Sequence, residues 1–432
     1  MSSTRFAPAG PLRGSLRPPS DKSISHRAAL IAAMGEGETP IRGYLDAADT
    51  RSTLGAVRAV GAGVANDDPA RIASELSIRG VGLREARPAR IDVGNAGTLL
   101  RLLPGWLAGQ AGKEWTLDGD ESIRRRPVDR IAVPLREMGA NLSAREERLP
   151  PLEITGEALH GITYEMPIAS AQVKSCLLFA GLLAEGETRV VEPAPSRDHT
   201  ERMLSAAGAD LRRDGDAVVI RPAARLEPPT IVVPADISSA AFFLAAAVLV
   251  PGSEIELKRV NTNPTRTGLL AILERMGAAI VREDEMEGGG EPIATLRVRS
   301  APLSATEVGG AEIPLAIDEL PLVALAACFA EGTTVIRDAE ELRRKESDRI
   351  ETVTAALRVL GGSVEATEDG MVIEGTGGLR GGAIDSHGDH RIAMLGAVAG
   401  LASREGVEVH GMDAAAVSYP GFERDLCSLQ SR

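Results

Sequence analysis

The sequence predicts an α/β fold of six repeated units, three in each of two domains, and three observations carry that prediction. Six times an apolar, Ala/Leu-rich helix runs into a glycine turn and then a β-rich stretch. The turn glycines Gly37, Gly112, Gly186, Gly252, Gly332 and Gly406 lie 75, 74, 66, 80 and 74 residues apart, the signature of an internal repeat. At 432 residues the chain exceeds the size at which one hydrophobic core keeps growing. A Pro-containing segment, residues 226–234, falls between the third and fourth repeats and is the best crossing between domains.

Each repeat opens with a helix that is apolar nearly all round, the pattern of a helix buried on every side. The runs are 28–34, 99–108, 177–184, 240–250, 320–330 and 392–401. A β-rich stretch follows each glycine, as in Thr188 Arg189 Val190 Val191, and in most repeats a second helix with a single apolar face comes next. In the fourth repeat that face is Leu269, Ile272, Leu273 and Met276, at the helical period. Several second helices end in a glycine cap, Val60 Gly61 Ala62 or Met276 Gly277 Ala278, before the next strand. The N-terminal stretch before Pro18 Pro19 precedes the first repeat and marks a second crossing. The expected domains are therefore 1–19 plus 235–432, discontinuous, and 20–234. A cleft between such halves is the default place for a ligand.

Composition narrows the function. Hydrophobic residues make up 44% and charged residues 25%, and no apolar run reaches the roughly 20 residues of a membrane span. Arg5, Arg13 and Arg17 are interrupted by Pro and Gly, so residues 1–20 read as an ordered strand rather than a leader. Three scattered cysteines, Cys176, Cys328 and Cys427, argue against a disulfide framework or a thiolate metal site and fit a reducing cytoplasm. A net charge of −13 and only 3% aromatic residues disfavour nucleic acid. A basic cluster on such a chain focuses potential on a small anion.

The repeats open with polar phrases: Ser20 Asp21 Lys22 Ser23 Ile24 Ser25 His26 Arg27, then Gly94 Asn95 Ala96 Gly97 Thr98 with Arg101, then Ser170 Ala171 Gln172 Val173 Lys174. The last three open with Asp236 Ile237 Ser238 Ser239, with Asp318 Glu319, and with Asp389 His390 Arg391. For any one helix, capping of free N–H groups explains the Ser, Asp and Asn. Capping does not explain Lys22, Arg27, Arg101 and Arg391, because a cation is disfavoured at a helix N-terminus. Free N–H groups together with Lys and Arg make a phosphate or carboxylate site. Further cations stand at or before second helices: Arg126 before Pro127, Arg197 before Asp198, and Lys345 and Arg349 around Glu346, Ser347 and Asp348. No Walker loop or complete dinucleotide fingerprint occurs, and Gly288 Gly289 Gly290 reads as a loop tip. His387 and His390 lack a third ligand nearby, so no metal is expected. Residue patterns alone thus imply an enzyme or binder for small, multiply anionic ligands, without cofactor.

Taken together and in order, Asp21 to Arg27, Gly94 Asn95 Ala96 Gly97 Thr98, Arg126 Pro127, Lys345 Glu346 Ser347 Asp348 Arg349 and Asp389 His390 Arg391 closely resemble the 5-enolpyruvylshikimate-3-phosphate synthase family. The resemblance implies a two-domain inside-out α/β barrel that closes on its substrates. It also implies transfer of the enolpyruvyl group of phosphoenolpyruvate to the 5-hydroxyl of shikimate 3-phosphate, with release of phosphate, by a cytoplasmic monomer without nucleic-acid or membrane partners. By resemblance Lys22, Ser23, Arg27, Ser170, Gln172, Arg197, Asp318 and Lys345 hold shikimate 3-phosphate. Lys22, Asn95, Gly97, Arg126, Gln172, Arg349 and Arg391 hold phosphoenolpyruvate. Asp318 is the base, Glu346 the acid at the methylene carbon, and Lys22 completes the catalytic set. Two carboxylates in different surroundings can divide those proton transfers. Glyphosate, which competes for the phosphoenolpyruvate position in that family, is an expected inhibitor.

Three features depart from the family pattern. Ala171 stands where many relatives have a second serine, and Glu341 where many have Asn. Val417 and Ser418 precede Tyr419 Pro420 where many carry a Lys. The sister family that acts on UDP-N-acetylglucosamine commonly has a Cys shortly before the Arg; here Gly119 Asp120 Glu121 Ser122 precede Arg124. An RNA-binding protein and a non-catalytic phospho-ligand binder are the alternatives outside this chemistry.

Overall fold

The structure, a computed structural model, describes residues 3–430. The six apolar runs form helices Lys22–Met34, Gly97–Ala108, Ala171–Gly181, Ile237–Leu249, Leu320–Ala327 and His390–Ala402, each with its middle turns fully buried. Two runs stop short of the expected length. The chain leaves the helix at Gly181 and Ala327 to form bridges from Glu185 to His160 and from Glu331 to Ser304. All six turn glycines take left-handed φ values, from +75° at Gly252 to +98° at Gly332, a conformation that a Cβ penalises.

Around each helix the repeat builds a small sheet. In the second repeat Glu114–Asp118 pairs in parallel with Ala89–Asp92 and antiparallel with Leu149–Thr155, and Asn141–Arg145 is the far edge. The same order recurs in five four-stranded sheets. Their members are not always neighbours in sequence. Ile231–Val232 joins the first repeat beside Glu38–Arg42, Arg13–Leu16 joins the fourth beside Glu254–Asn261, and Ser3–Phe6 completes the three-stranded sheet of the sixth beside Val407–His410.

Contacts divide the chain into two compact units, one of residues 1–19, 235–286 and 292–432, the other of 20–234 and 287–291. Each has its own apolar core, the first around the Phe242, Phe243 and Phe422 rings, the second around Trp106 and Phe179. Gly289 and Gly290 form the tight turn of a long hairpin, φ +65° and +93°. That turn is not a free tip. It counts with the 20–234 unit, where the buried Glu291 carboxylate meets His199 Nδ1 at 2.8 Å.

Candidate active site

In the 20–234 unit, helix openings from three repeats present cations held mainly by neutral groups. Asp21 caps the first helix through Ile24 N–H. Lys22 follows, half-exposed, with Nζ 2.9 Å from Asp49 Oδ2. One turn on, Arg27 is buried and donates to Thr200 Oγ1 (2.7 Å), Ser175 Oγ (2.9 Å) and the Ser23 carbonyl (3.0 Å). Burial pulls its guanidinium down to about 10, opposed by the charge of Glu201 and helped by Arg197. His26 beside it is driven down to about 3 by burial, so the imidazole is neutral.

Close helix packing sets the next group. A Cβ on Gly105 would lie 2.0 Å from the Cys176 carbonyl oxygen, so the second and third helices touch backbone to backbone. Their openings therefore meet: Arg101 donates to Gln172 Oε1 and Gln172 Nε2 to Thr98 Oγ1, both at 3.1 Å. The second helix has no side-chain cap. Asn95, just before it, instead bridges Asp120 (2.8 Å) and Arg126 Nη2 (2.8 Å). A Cβ on Gly97 would stand 2.5 Å from Arg126 Nη1 and 3.4 Å from Arg101 Nη1, so glycine there makes room for two guanidinium groups. Ser170 caps its own helix through Val173 N–H at 3.4 Å. Lys174, in the same opening phrase as Gln172, lies elsewhere, wholly buried between Glu192 and Glu201 at 3.0 and 2.5 Å.

In the other unit each cation meets a carboxylate. Asp318, ahead of the fifth buried helix, has Lys345 Nζ, Arg349 Nη1 and Arg391 Nη2 at 3.5, 3.7 and 3.8 Å from its oxygens. Arg349 is buried against the buried Asp389, at 2.9 and 3.2 Å, and reaches the half-exposed Glu346 at 2.6 Å. Burial pushes Asp389 upward, but the Arg349 contacts and the Arg391 N–H it caps outweigh that and hold it below its ordinary value. Arg391 donates from Nη1 to the Asp318 carbonyl (2.8 Å) and to Glu319 Oε1 (3.3 Å). Burial raises the Glu319 carboxyl, with Arg391 opposing. Lys345 also meets Glu341 at 2.6 Å, so the departure at that position supplies a carboxylate to a site lysine. Val417 is 76% exposed. Glu319 is the site group that sequence reasoning left without a role; an acid inside an apolar helix opening was its only signal.

Clusters of cations at helix openings, in one unit interleaved with carboxylates, are the kind of arrangement that binds small anions. Known proteins narrow the class. The chain matches the EPSP synthase (3-phosphoshikimate 1-carboxyvinyltransferase) family over residues 6–426. It is 49% identical to the 3-phosphoshikimate 1-carboxyvinyltransferase of a Synechococcus strain, covering all of both chains, and 50% identical to that of Gloeobacter violaceus, covering 99% of each. An EPSP synthase structure from Acinetobacter baumannii superposes with a TM-score of 0.94 at 41% identity, over 100% of this chain and 98% of that one. The chain belongs to the EPSP synthase family, the one that its sequence phrases resemble.

Proposed function

We propose that this chain transfers the enolpyruvyl group of phosphoenolpyruvate to the 5-hydroxyl of shikimate 3-phosphate and releases phosphate, with the residue roles that follow. Lys22, Ser23, Arg27, Ser170, Gln172, Arg197, Asp318 and Lys345 take shikimate 3-phosphate. Lys22, Asn95, Gly97, Arg126, Gln172, Arg349 and Arg391 take phosphoenolpyruvate. Each substrate carries a phosphate and a carboxylate, which accounts for so many cations. The 5-hydroxyl oxygen bonds to C2 of phosphoenolpyruvate as its proton passes to Asp318, while Glu346 protonates C3. The C2–O bond to phosphate then breaks, and Glu346 takes a proton back from the methyl carbon.

The observation that carries this reading is the Asp318 carboxylate, within 4 Å of three cations from two other helix openings. Substrate anions that engage those cations free the carboxylate to accept a proton. Phosphate release with phosphoenolpyruvate plus shikimate 3-phosphate tests the reading, with UDP-N-acetylglucosamine as control. Release only with the sugar nucleotide overturns it. Among the described residues no helix is long and apolar enough to cross a membrane. We place the enzyme in the cytoplasm as a monomer, and the net charge of −13 supports the further reading that it binds no nucleic acid; size-exclusion chromatography and a salt-dependent RNA shift check these readings. Competition by glyphosate against phosphoenolpyruvate is the expected inhibition pattern.

A further inference from the structure

The fourth repeat opens like the others but holds none of the residues assigned above, and its polar groups lead back to the site. Asp236 caps its helix through Ser238 N–H. The Ser238 hydroxyl accepts from the buried Arg266 Nη2 at 2.8 Å and donates to Glu319 Oε1 at 2.5 Å. Arg266 Nη2 also reaches Asp236 Oδ1 at 3.2 Å. Glu319 Oε1 in turn accepts from Arg391 Nη1. A carboxylate that is 3% exposed costs several kcal/mol to bury unless it is paired and hydrogen-bonded, and here both partners are supplied from other repeats.

We propose that Glu319 is a positioning residue for Arg391, oriented by Ser238 and Arg266 of the fourth repeat, and that it sets the affinity for the carboxylate of phosphoenolpyruvate. This rests on the reading of Arg391 as a phosphoenolpyruvate ligand. Arg391 Nη1 donates to both the Asp318 carbonyl and Glu319. Nη2 remains 3.8 Å from Asp318 Oδ2, beyond hydrogen-bond distance. Glu319 thus anchors one end of the guanidinium and leaves the other for substrate. Without it, Asp318 is the nearest carboxylate, and Arg391 swings onto it. That motion withdraws the clamp from phosphoenolpyruvate and ties up the base.

Steady-state kinetics of Glu319→Ala, Glu319→Gln, Ser238→Ala and Arg391→Ala test the proposal. Glu319→Ala is expected to raise KM for phosphoenolpyruvate about tenfold or more, the range of one charged hydrogen bond, while KM for shikimate 3-phosphate moves less than about twofold. Glu319→Gln keeps an acceptor for both Ser238 and Arg391, so it recovers most of the loss. Ser238→Ala shifts the same constant in the same direction by a smaller factor, and it carries the test if Glu319→Ala does not fold. Arg391→Ala left with normal KM for phosphoenolpyruvate means that the underlying assignment of Arg391 is wrong. A large Arg391→Ala effect with none in Glu319→Ala and Ser238→Ala overturns the positioning role. So does an equal rise in both KM values that Gln does not rescue, which is the mark of general structural support.

Discussion

The cations of the two units stand on the same kind of element, the opening of a helix, yet apart from Lys22, which pairs with Asp49, they are held in opposite ways. In the 20–234 unit Arg27, Arg101 and Arg126 rest on hydroxyl, carbonyl and amide oxygens. In the other, Lys345, Arg349 and Arg391 each face carboxylates: Asp318, Glu319, Glu341, Glu346 and Asp389. A guanidinium on neutral acceptors keeps its charge for an incoming anion. Pairing with an acid instead fixes geometry and leaves a group able to exchange protons. On the roles proposed above, the 20–234 unit captures anions and the other adds proton transfer to its share of that capture. Replacing Asp318 by Ala probes that division hardest. Loss of a general base lowers kcat by about 10²–10⁴-fold, whereas shikimate 3-phosphate titrated by fluorescence or calorimetry still binds. Near-normal turnover would falsify the assignment of the base.

A second contrast sets Arg349→Ala against Arg126→Ala. The first leaves Asp389 buried beside only the Ser347 hydroxyl and the Arg391 N–H, and breaking a buried pair costs about 3–5 kcal/mol of stability. Arg126 is partly exposed and held by Asn95 and Ser122; its loss changes Tm little and weakens phosphoenolpyruvate by about 10–100-fold. Acidity separates the two further. Asp389 is depressed in the folded state, so it contributes stability above its unfolded pKa that is lost as pH falls through the folded value. In Arg349→Ala burial is opposed only by the Ser347 hydroxyl and the Arg391 N–H, so that carboxyl rises, and its protonation on acidification relieves the cost. The stability gap between wild type and Arg349→Ala is therefore widest near neutrality and narrows toward pH 4 and below, readable in urea melts across that range. A gap that stays constant with pH places the loss elsewhere than Asp389.

The sequence made the repeat legible because its signals are local. Glycine turns, all-round apolar helices and the Leu269, Ile272, Leu273 and Met276 stripe each need only a dozen residues to be read, and the fourth-repeat stripe is buried as its period requires. Capping was legible too, at Asp21, Ser170, Asp236 and Asp389. Partnership was not. Arg27 finds Thr200 and Ser175, and Glu319 finds Ser238, across more than one repeat. Nothing local in Gln172 Val173 Lys174 says that Lys174 turns inward to Glu192 and Glu201 while Gln172 faces Arg101. The edge strands were hidden for the same reason: Ser3–Phe6 pairs with Val407–His410, at the far end of the chain.

Gly97→Ala sharpens the comparison from within the first unit. The new Cβ at 2.5 Å from Arg126 Nη1 is too close to stay, and the guanidinium is the flexible partner, so Arg126 shifts rather than the helix. The side chain keeps its charge but loses its place. A strain of about 1 kcal/mol or more appears as a rise of roughly fivefold or more in KM for phosphoenolpyruvate, with Tm nearly unchanged. If KM is unaffected, Arg126 does not need the position in which Asn95 holds it.

The smallest effect is expected where the second unit looks most like a surface. Glu341 is 66% exposed, and an exposed ion pair contributes at most about 1 kcal/mol, so Glu341→Asn leaves the melting transition almost where it was. Lys345 retains Asp318 at 3.5 Å as a second carboxylate, which keeps its ammonium near the site when Glu341 is gone. KM for shikimate 3-phosphate then moves by less than about threefold, because only a screened, solvated contact has been exchanged. A change of tenfold or more would mean that Lys345 is aimed by its exposed partner rather than by Asp318. Carboxylate pairing in this unit would then set ligand affinity as well as proton transfer, and the division between the two groups of cations would blur at Lys345.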